Sequence, residues 1–322
     1  GQRGNQTLRL TRSYTKILSN NDINKRLGLG GWSLSNHHYY DPQTKTMFKG
    51  DGDVIKANNI GEVLDLIYED RLLFVNLNEF VIGTDGEFYI LDYINSAIYK
   101  LDSSGNIYRI VGGGDSTEDG ATGLDAKIRW PTAIAINNDG EIYFAEYRKI
   151  RKLDKFNRVY TVAGDGNVSF NRSPDETLAT LANIGNVYDL EFDPEGNLLY
   201  SDTFNLIRKI DAEGILSTVA GKAPGGLLGD DMPVANASLT GLTGFDVSND
   251  GSIYLLQSNK VRRVSPDGII QTIAGQDSSG FAGDGEAAIN SKLSGPTDLV
   301  QDSVGNLYVL DDGNKRVRII TK

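Results

Sequence analysis

Gly140-Glu-Ile-Tyr-Phe-Ala-Glu146 reads as a turn glycine followed by a short strand that ends on an acid. The same pattern returns as Gly86-Glu-Phe-Tyr-Ile-Leu-Asp92, Gly196-Asn-Leu-Leu-Tyr-Ser-Asp202, Gly251-Ser-Ile-Tyr-Leu-Leu-Gln257 and Gly305-Asn-Leu-Tyr-Val-Leu-Asp311. Successive turn glycines lie 54, 56, 55 and 54 residues apart. A fixed period of that length, carrying strand chemistry, marks a repeat architecture.

Working outward from the glycine, each unit holds four strand-like runs. An apolar stretch precedes it, such as Thr132-Ala-Ile-Ala-Ile136. Asn138-Asp-Gly140 and Asn249-Asp-Gly251 join the two runs, and Gly supplies the positive φ that a tight hairpin requires. A third run has the form Ile150-Arg-Lys-Leu153, Ile207-Arg-Lys-Ile210, Val261-Arg-Arg-Val264 or Val317-Arg-Ile-Ile320. A fourth ends at Gly112, Gly164, Gly221 or Gly275. Four short antiparallel strands per repeat predict the blades of an all-β propeller.

A degenerate unit precedes these five. In Tyr39-Tyr-Asp-Pro-Gln-Thr-Lys-Thr-Met-Phe-Lys-Gly-Asp51, Lys45 stands where the turn glycine belongs and Asp51 where the acid belongs. Counting it predicts six blades, beginning near residues 36, 77, 131, 187, 242 and 296, with 36–322 as the propeller and 1–35 as an entry segment. The last unit stops at Lys322 after its third strand. An unpaired edge is an aggregation hazard, and Gln6–Tyr14 is expected to supply the closing strand, or else a following domain does. Blades are covered on both faces, so both faces of each strand are expected to be apolar.

Composition narrows the functional classes. The 322 residues carry 32 Lys+Arg against 43 Asp+Glu, a net charge of -11, which disfavours a nucleic-acid partner. Cysteine is absent, excluding disulfides, thiolate metal sites and cysteine nucleophiles. The two histidines, His37 and His38, are adjacent, so a three-histidine zinc site is hard to build. No apolar run is long enough to span a membrane, and Gly1–Leu10 does not read as a signal peptide, so the chain is expected to be a soluble segment of something larger.

The units resemble NHL repeats, on the strength of the Gly-apolar-Tyr-acid pattern, the Ile-Arg-Lys-Ile strand, the Thr-Val-Ala-Gly exit, and Phe281-Ala-Gly-Asp-Gly-Glu-Ala-Ala-Ile-Asn-Ser-Lys-Leu293. A sharper resemblance lies in Leu27-Gly-Leu-Gly-Gly-Trp-Ser-Leu-Ser-Asn-His-His-Tyr-Tyr-Asp-Pro42, followed by Met47-Phe-Lys-Gly-Asp-Gly52. It is similar to the segment that enters the NHL propeller of teneurins and of related bacterial YD-repeat (Rhs-type) proteins. The resemblance implies a six-bladed NHL-type propeller, adjoined in the parent chain by a plug domain and a YD-repeat shell. It also implies an extracellular, secreted or cell-surface location. No YD repeat is present, so shell and toxin functions are not implied. Animal teneurin propellers contain cysteines, and their absence here points to a bacterial or divergent relative.

Seven residues before each turn glycine the aligned positions are His38, Glu79, Ala133, Asp189, Gly244 and Asp298. These would meet at the mouth of the central channel. His38, Glu79, Asp189 and Asp298 form a candidate metal site, with Ca²⁺ favoured by the oxygen ligands and a transition metal by the imidazole. The bland alternative is a polar, water-filled mouth. Adjacent strand residues point to opposite faces, so His37 and His38 cannot chelate one metal together.

The acids Asp51, Asp92, Glu146, Asp202 and Asp311 recur too often to be catalytic and are expected to cap turns or to pair with Arg151, Arg208 or Arg318. Asp284 is expected to cap a short helix. The long connectors Asp165–Asn186 and Lys222–Thr240 are candidate partner loops, or plain solvated connectors. The favoured function is a non-enzymatic interaction and scaffold module that contacts a protein or a cell surface, with no catalytic or cofactor-binding residue. The alternative is a metal-dependent propeller hydrolase or lyase at the channel mouth. Carbohydrate binding rests on no sequence feature above background.

Overall fold

The computed structural model describes residues 10–11, 40–41, 46–47, 77–102, 107–168, 171–222, 225–226, 228–302 and 304–321. Three short strands come first, β1 (Leu10–Thr11), β2 (Tyr40–Asp41) and β3 (Thr46–Met47). The first blade is β4 (Leu77–Ile82), β5 (Phe88–Asp92), β6 (Ala97–Leu101) and β7 (Ile107–Val111). The second follows a connector strand, β8 (Ala121–Thr122), and holds β9 (Ala133–Ile136), β10 (Ile142–Glu146), β11 (Lys149–Leu153) and β12 (Arg158–Ala163). The third is β13 (Val187–Phe192), β14 (Leu198–Asp202), β15 (Ile207–Ile210) and β16 (Leu216–Ala220). Connector strand β17 (Met232–Pro233) leads to β18 (Leu242–Val247), β19 (Ile253–Gln257), β20 (Lys260–Val264) and β21 (Ile269–Gly275). The fifth blade is β22 (Asp298–Gln301), β23 (Leu307–Asp311) and β24 (Arg316–Ile320).

Every blade is an antiparallel meander in chain order, as the hairpin chemistry requires. The turn glycines Gly86, Gly140, Gly196, Gly251 and Gly305 hold φ between 79° and 97°, a region where a Cβ is strained. In the second, third and fifth blades the side chain of the residue opening the turn closes it from the other side. Asp193 Oδ1 accepts from Asn197 N at 2.8 Å, and Asp302 Oδ1 accepts from Asn306 N at 2.8 Å.

The sequence predicts six blades, and the structure shows five among the described residues. Among the described residues, 36–76 contribute only the β2–β3 pair, with Tyr40 opposite Met47. This is the unit that lacks the turn glycine, the residue that sets the hairpin in the other five. β1 pairs with the inner strand of the first blade, Leu10 opposite Phe80 and Thr11 opposite Glu79. The rest of Gln6–Tyr14 lies outside the described residues.

The core is a series of layers between blades rather than one centre. In the second strand, alternate residues face opposite neighbours. Ile142 and Phe144 pack towards the first blade with Val81, Leu91 and Ile98. Ala145, with partly buried Tyr143 beside it, packs towards the third blade with Leu190, Leu198 and Tyr200. The same alternation sends Ile253 and Leu255 to the third blade, and Tyr254 and Leu256 to the fifth. Burial of each such side chain stabilises by roughly 1.5–3 kcal/mol. Both faces of a blade are therefore largely apolar.

Candidate functional site

The inner strands β4, β9, β13, β18 and β22 lie side by side in blade order. Glu79 and Asp189 are buried where these strands begin. Each reaches one blade onward. Glu79 Oε2 accepts from Ile134 N at 3.0 Å, and Asp189 Oδ2 accepts from Phe245 N at 2.9 Å. The aligned residues of the receiving blades are Ala133 and Gly244, and their small size admits the incoming carboxylate. A Cβ on Gly244 would stand 3.7 Å from Asp189 Oδ2. Thr132 Oγ1 donates to Val187 O at 2.7 Å and Thr243 Oγ1 to Pro296 O at 3.0 Å, bridging the two junctions between neighbouring blades that Glu79 and Asp189 do not. Asp298 is buried at the same aligned position in β22. His38 lies outside the described residues. Among the described residues, no group of three His, Cys, Asp or Glu side chains is arranged to hold a metal ion.

The acid that ends each second strand divides its work. Glu146 Oε1 accepts from Arg151 Nη1 at 3.1 Å, and Asp311 Oδ2 accepts from Arg318 Nη1 at 3.4 Å. Gln257, which breaks the acid series, still accepts from Arg262 Nη1 at 2.9 Å. Asp92 and Asp202 act as turn caps, accepting from Asn95 N and Phe204 N, each at 2.9 Å. Burial raises the carboxyl of Glu146, and the Arg151 guanidinium offsets part of that rise. Burial pushes Asp202 up to about 7 against the pull of its turn N–H donors.

The arginines have carboxylate partners on the connectors that sequence reading missed. Arg208 Nη2 lies 3.0 Å from Asp175 Oδ1, Arg262 Nη2 lies 2.7 Å from Asp230 Oδ1, and Arg318 Nη2 lies 2.6 Å from Asp284 Oδ1. Arg151 Nη2 stands farther from Asp119 Oδ1, at 3.9 Å. Asp119, Asp175 and Asp230 also accept from Thr161, Thr218 and Thr272, the residues opposite those arginines on the fourth strand. Asp119, Asp175, Asp230 and Asp284 lie 56, 55 and 54 residues apart, the interval of the turn glycines, and that spacing was the available signal.

In the first blade the equivalent pair is exchanged, with Tyr99 opposite Arg109. Asp284 is thus a blade clasp and not the helix cap expected from sequence. The short 3₁₀ turn nearby, Ala288–Asn290, has no side-chain cap. Asp175 and Asp230 place the two long connectors in the framework, so neither is a plain solvated loop. Among the described residues, their exposed large apolar side chains are Val168, Leu178, Leu181 and Leu228.

At the opposite end of the inner strands the hairpin turns surround a cavity of ≈430 Å³. Glu191, Asp193, Asp246, Asp302, Asn137 and Gln301 are among its lining residues. Asp246 Oδ2 accepts from Gln301 N at 2.7 Å, one repeat onward, in the manner of Glu79 and Asp189.

No known family profile matches the chain. Human teneurin-1 is 24% identical over 91% of this chain and 14% of that protein. Mouse teneurin-3 is 23% identical over 98% of this chain and 15% of that protein. This chain is a β-propeller similar in sequence to teneurins. It spans only 14–15% of the length of the teneurins it matches. Solved structures share the propeller fold at lower identity. A Bacteroides thetaiotaomicron protein of unknown function covers 97% of this chain and 75% of its own, with TM-score 0.58 and 17% identity. An auxiliary nutrient binding protein from the same organism covers 88% and 68%, with TM-score 0.57 and 14% identity. These likenesses establish the fold alone. Among the described residues of the teneurin-like propeller, no helix is long and apolar enough to cross a membrane.

Proposed function

We propose that this propeller is a non-enzymatic interaction and scaffold module of a large teneurin-like protein, displayed outside the cell or secreted, and contacting a protein or cell-surface partner. One observation carries the reading. The repeated carboxylates that a channel-mouth enzyme would need are spent on blade-to-blade contacts, Glu79 on Ile134 and Asp189 on Phe245. The likeness to teneurins over most of the chain supports it, as does the apolar exposure of Leu181 and Leu228 on connectors that Asp175 and Asp230 anchor. In the parent protein the module would adjoin a plug domain and a YD-repeat shell.

Point substitution tests this better than loop deletion, because deletion would remove the clasps. Fluorescent chain is added to cells, and saturable binding is measured for wild type, Leu181→Asp and Leu228→Asp. Saturable wild-type binding that weakens in either variant, at unchanged Tm, supports the reading. Unsaturable binding, or a stoichiometric metal in purified protein together with lactone or ester turnover, overturns it.

A further inference from the structure

Repeats expose whatever departs from them. Ten residues before the turn glycine, the second, fourth and fifth blades carry Trp130, Gly241 and Gly295. All three have left-handed backbone, with φ of 46°, 83° and 53°. Two of them also share a local hydrogen bond. Trp130 N donates to Ser96 Oγ at 3.2 Å and Gly295 N to Asn259 Oδ1 at 3.1 Å, each acceptor being the residue before the third strand of the preceding blade. The position calls for glycine, and a bulky residue with positive φ is a strained outlier. Trp130 nevertheless stands there 51% exposed, so core packing does not explain it. Strain retained at an exposed position is a mark of function.

A second departure lies beside it. Eight residues before the turn glycine, the second, fourth and fifth blades carry Thr132, Thr243 and Thr297, but the third carries Tyr188. Tyr188 falls at the bulge between Val187 and Asp189 and is 55% exposed. The Thr132 Oγ1 to Val187 O bond brings this bulge next to the Trp130 loop. Tyr147, from the loop between the second and third strands of the second blade, meets the indole edge-on, with centroids 6.1 Å apart and planes at 61°. Three half-exposed aromatic rings thus gather at the strand-start end of two adjacent blades.

We infer that Trp130, Tyr147 and Tyr188 form a binding platform for a neutral carbohydrate. The C–H bonds on one face of a pyranose carry partial positive charge and stack on the electron-rich face of an indole, while phenol hydroxyls bond the sugar's edge. A rigid indole loses little conformational freedom on binding. The net charge of -11 repels acidic glycans and is indifferent to neutral ones.

Tryptophan fluorescence reads the site, because the chain has only two tryptophans. In a Trp32→Phe background, cellotriose, chitotriose and maltotriose are titrated to millimolar concentration. At least one is expected to change Trp130 emission saturably. Binding by Trp130→Gly is followed by calorimetry and is expected to be at least about tenfold weaker, while its Tm is equal or higher, because glycine is what the fourth and fifth blades use. Silence with all three sugars, undiminished binding by Trp130→Gly, or a lower Tm for that variant, which would make Trp130 a packing residue, overturns the inference. Cell binding that depends on Leu181 or Leu228 is read separately, so the two readings can fail independently.

Discussion

Arg208 is fully buried, and its Nη2 lies 3.0 Å from Asp175 Oδ1, on the connector that leads into the same blade. The same carboxylate oxygen accepts from Thr218 Oγ1 at 2.7 Å, so one acid ties the connector to the third and fourth strands together. Removing it leaves a buried guanidinium short of its counter-charge. A fully buried pair broken this way costs about 3–5 kcal/mol. The Asp175 side chain is 47% exposed and the carbonyls of Ser173 and Ser217 remain as acceptors, so the cost is smaller. Asp175→Ala is expected to lose about 2 kcal/mol in urea unfolding. The equivalent Asp119→Ala, whose arginine stands 3.9 Å away, is expected to lose less.

Asp189 separates a strut from a metal ligand. As an acceptor for Phe245 N, it can be replaced by Asn with little loss, whereas Asp189→Ala orphans a buried N–H and costs about 1–3 kcal/mol. Gly244→Ala is expected to be nearly neutral, because its Cβ would meet Thr297 O at 3.5 Å and Asp189 Oδ2 at 3.7 Å. Gly244→Leu would displace the carboxylate, and its Tm is expected to fall at least as far as that of Asp189→Ala. Thermal melts of the four variants check the order.

Asp202 makes stability depend on pH. Its ordinary value is 3.8, and burial raises it to about 7 in the folded chain. Between those values the folded state holds a proton that the unfolded chain has released. Stability from this group is therefore full below about pH 4 and is lost as pH rises through about 7. Asp202→Asn keeps the acceptor for Phe204 N and lacks the titration. The wild-type advantage over Asp202→Asn is expected to shrink by on the order of 2–4 kcal/mol across that window, read by urea unfolding at several pH values.

Two glycines with nearly the same φ should respond differently. Gly164 has φ 93° and Gly196 has φ 87°. A Cβ on Gly196 meets nothing within 4 Å, while one on Gly164 would stand 2.1 Å from Arg148 O. Gly196→Ala is expected to cost about 1 kcal/mol, from backbone strain alone. Gly164→Ala adds a clash with backbone and is expected to cost at least twice as much or to prevent folding, as differential scanning calorimetry would show.

Much of the architecture was legible because it repeats. A glycine every 54–56 residues, followed by apolar-Tyr alternation, reports a hairpin and a two-faced strand without reference to anything distant. The pairing of Glu146 with Arg151 was legible for the same reason, since it lies within one hairpin. The targets of Glu79 and Asp189 were not, because backbone N–H groups on Ile134 and Phe245 leave no trace in side-chain identity. Aligning the channel position located these acids but not the direction in which they point. The sixth blade is not seen among the described residues, and its unit keeps the aromatic and the acid but lacks the glycine.

The sequence by itself determined the repeat, its strand pattern and its all-β class, because those follow from local turn chemistry and alternation. Only the tertiary structure decided which carboxylates serve as clasps, how many blades form, and that Trp130 occupies a glycine's backbone beside Tyr147. Those outcomes depend on contacts between residues far apart in the chain. Distance and direction across such contacts are set by how whole blades pack, which no single repeat encodes.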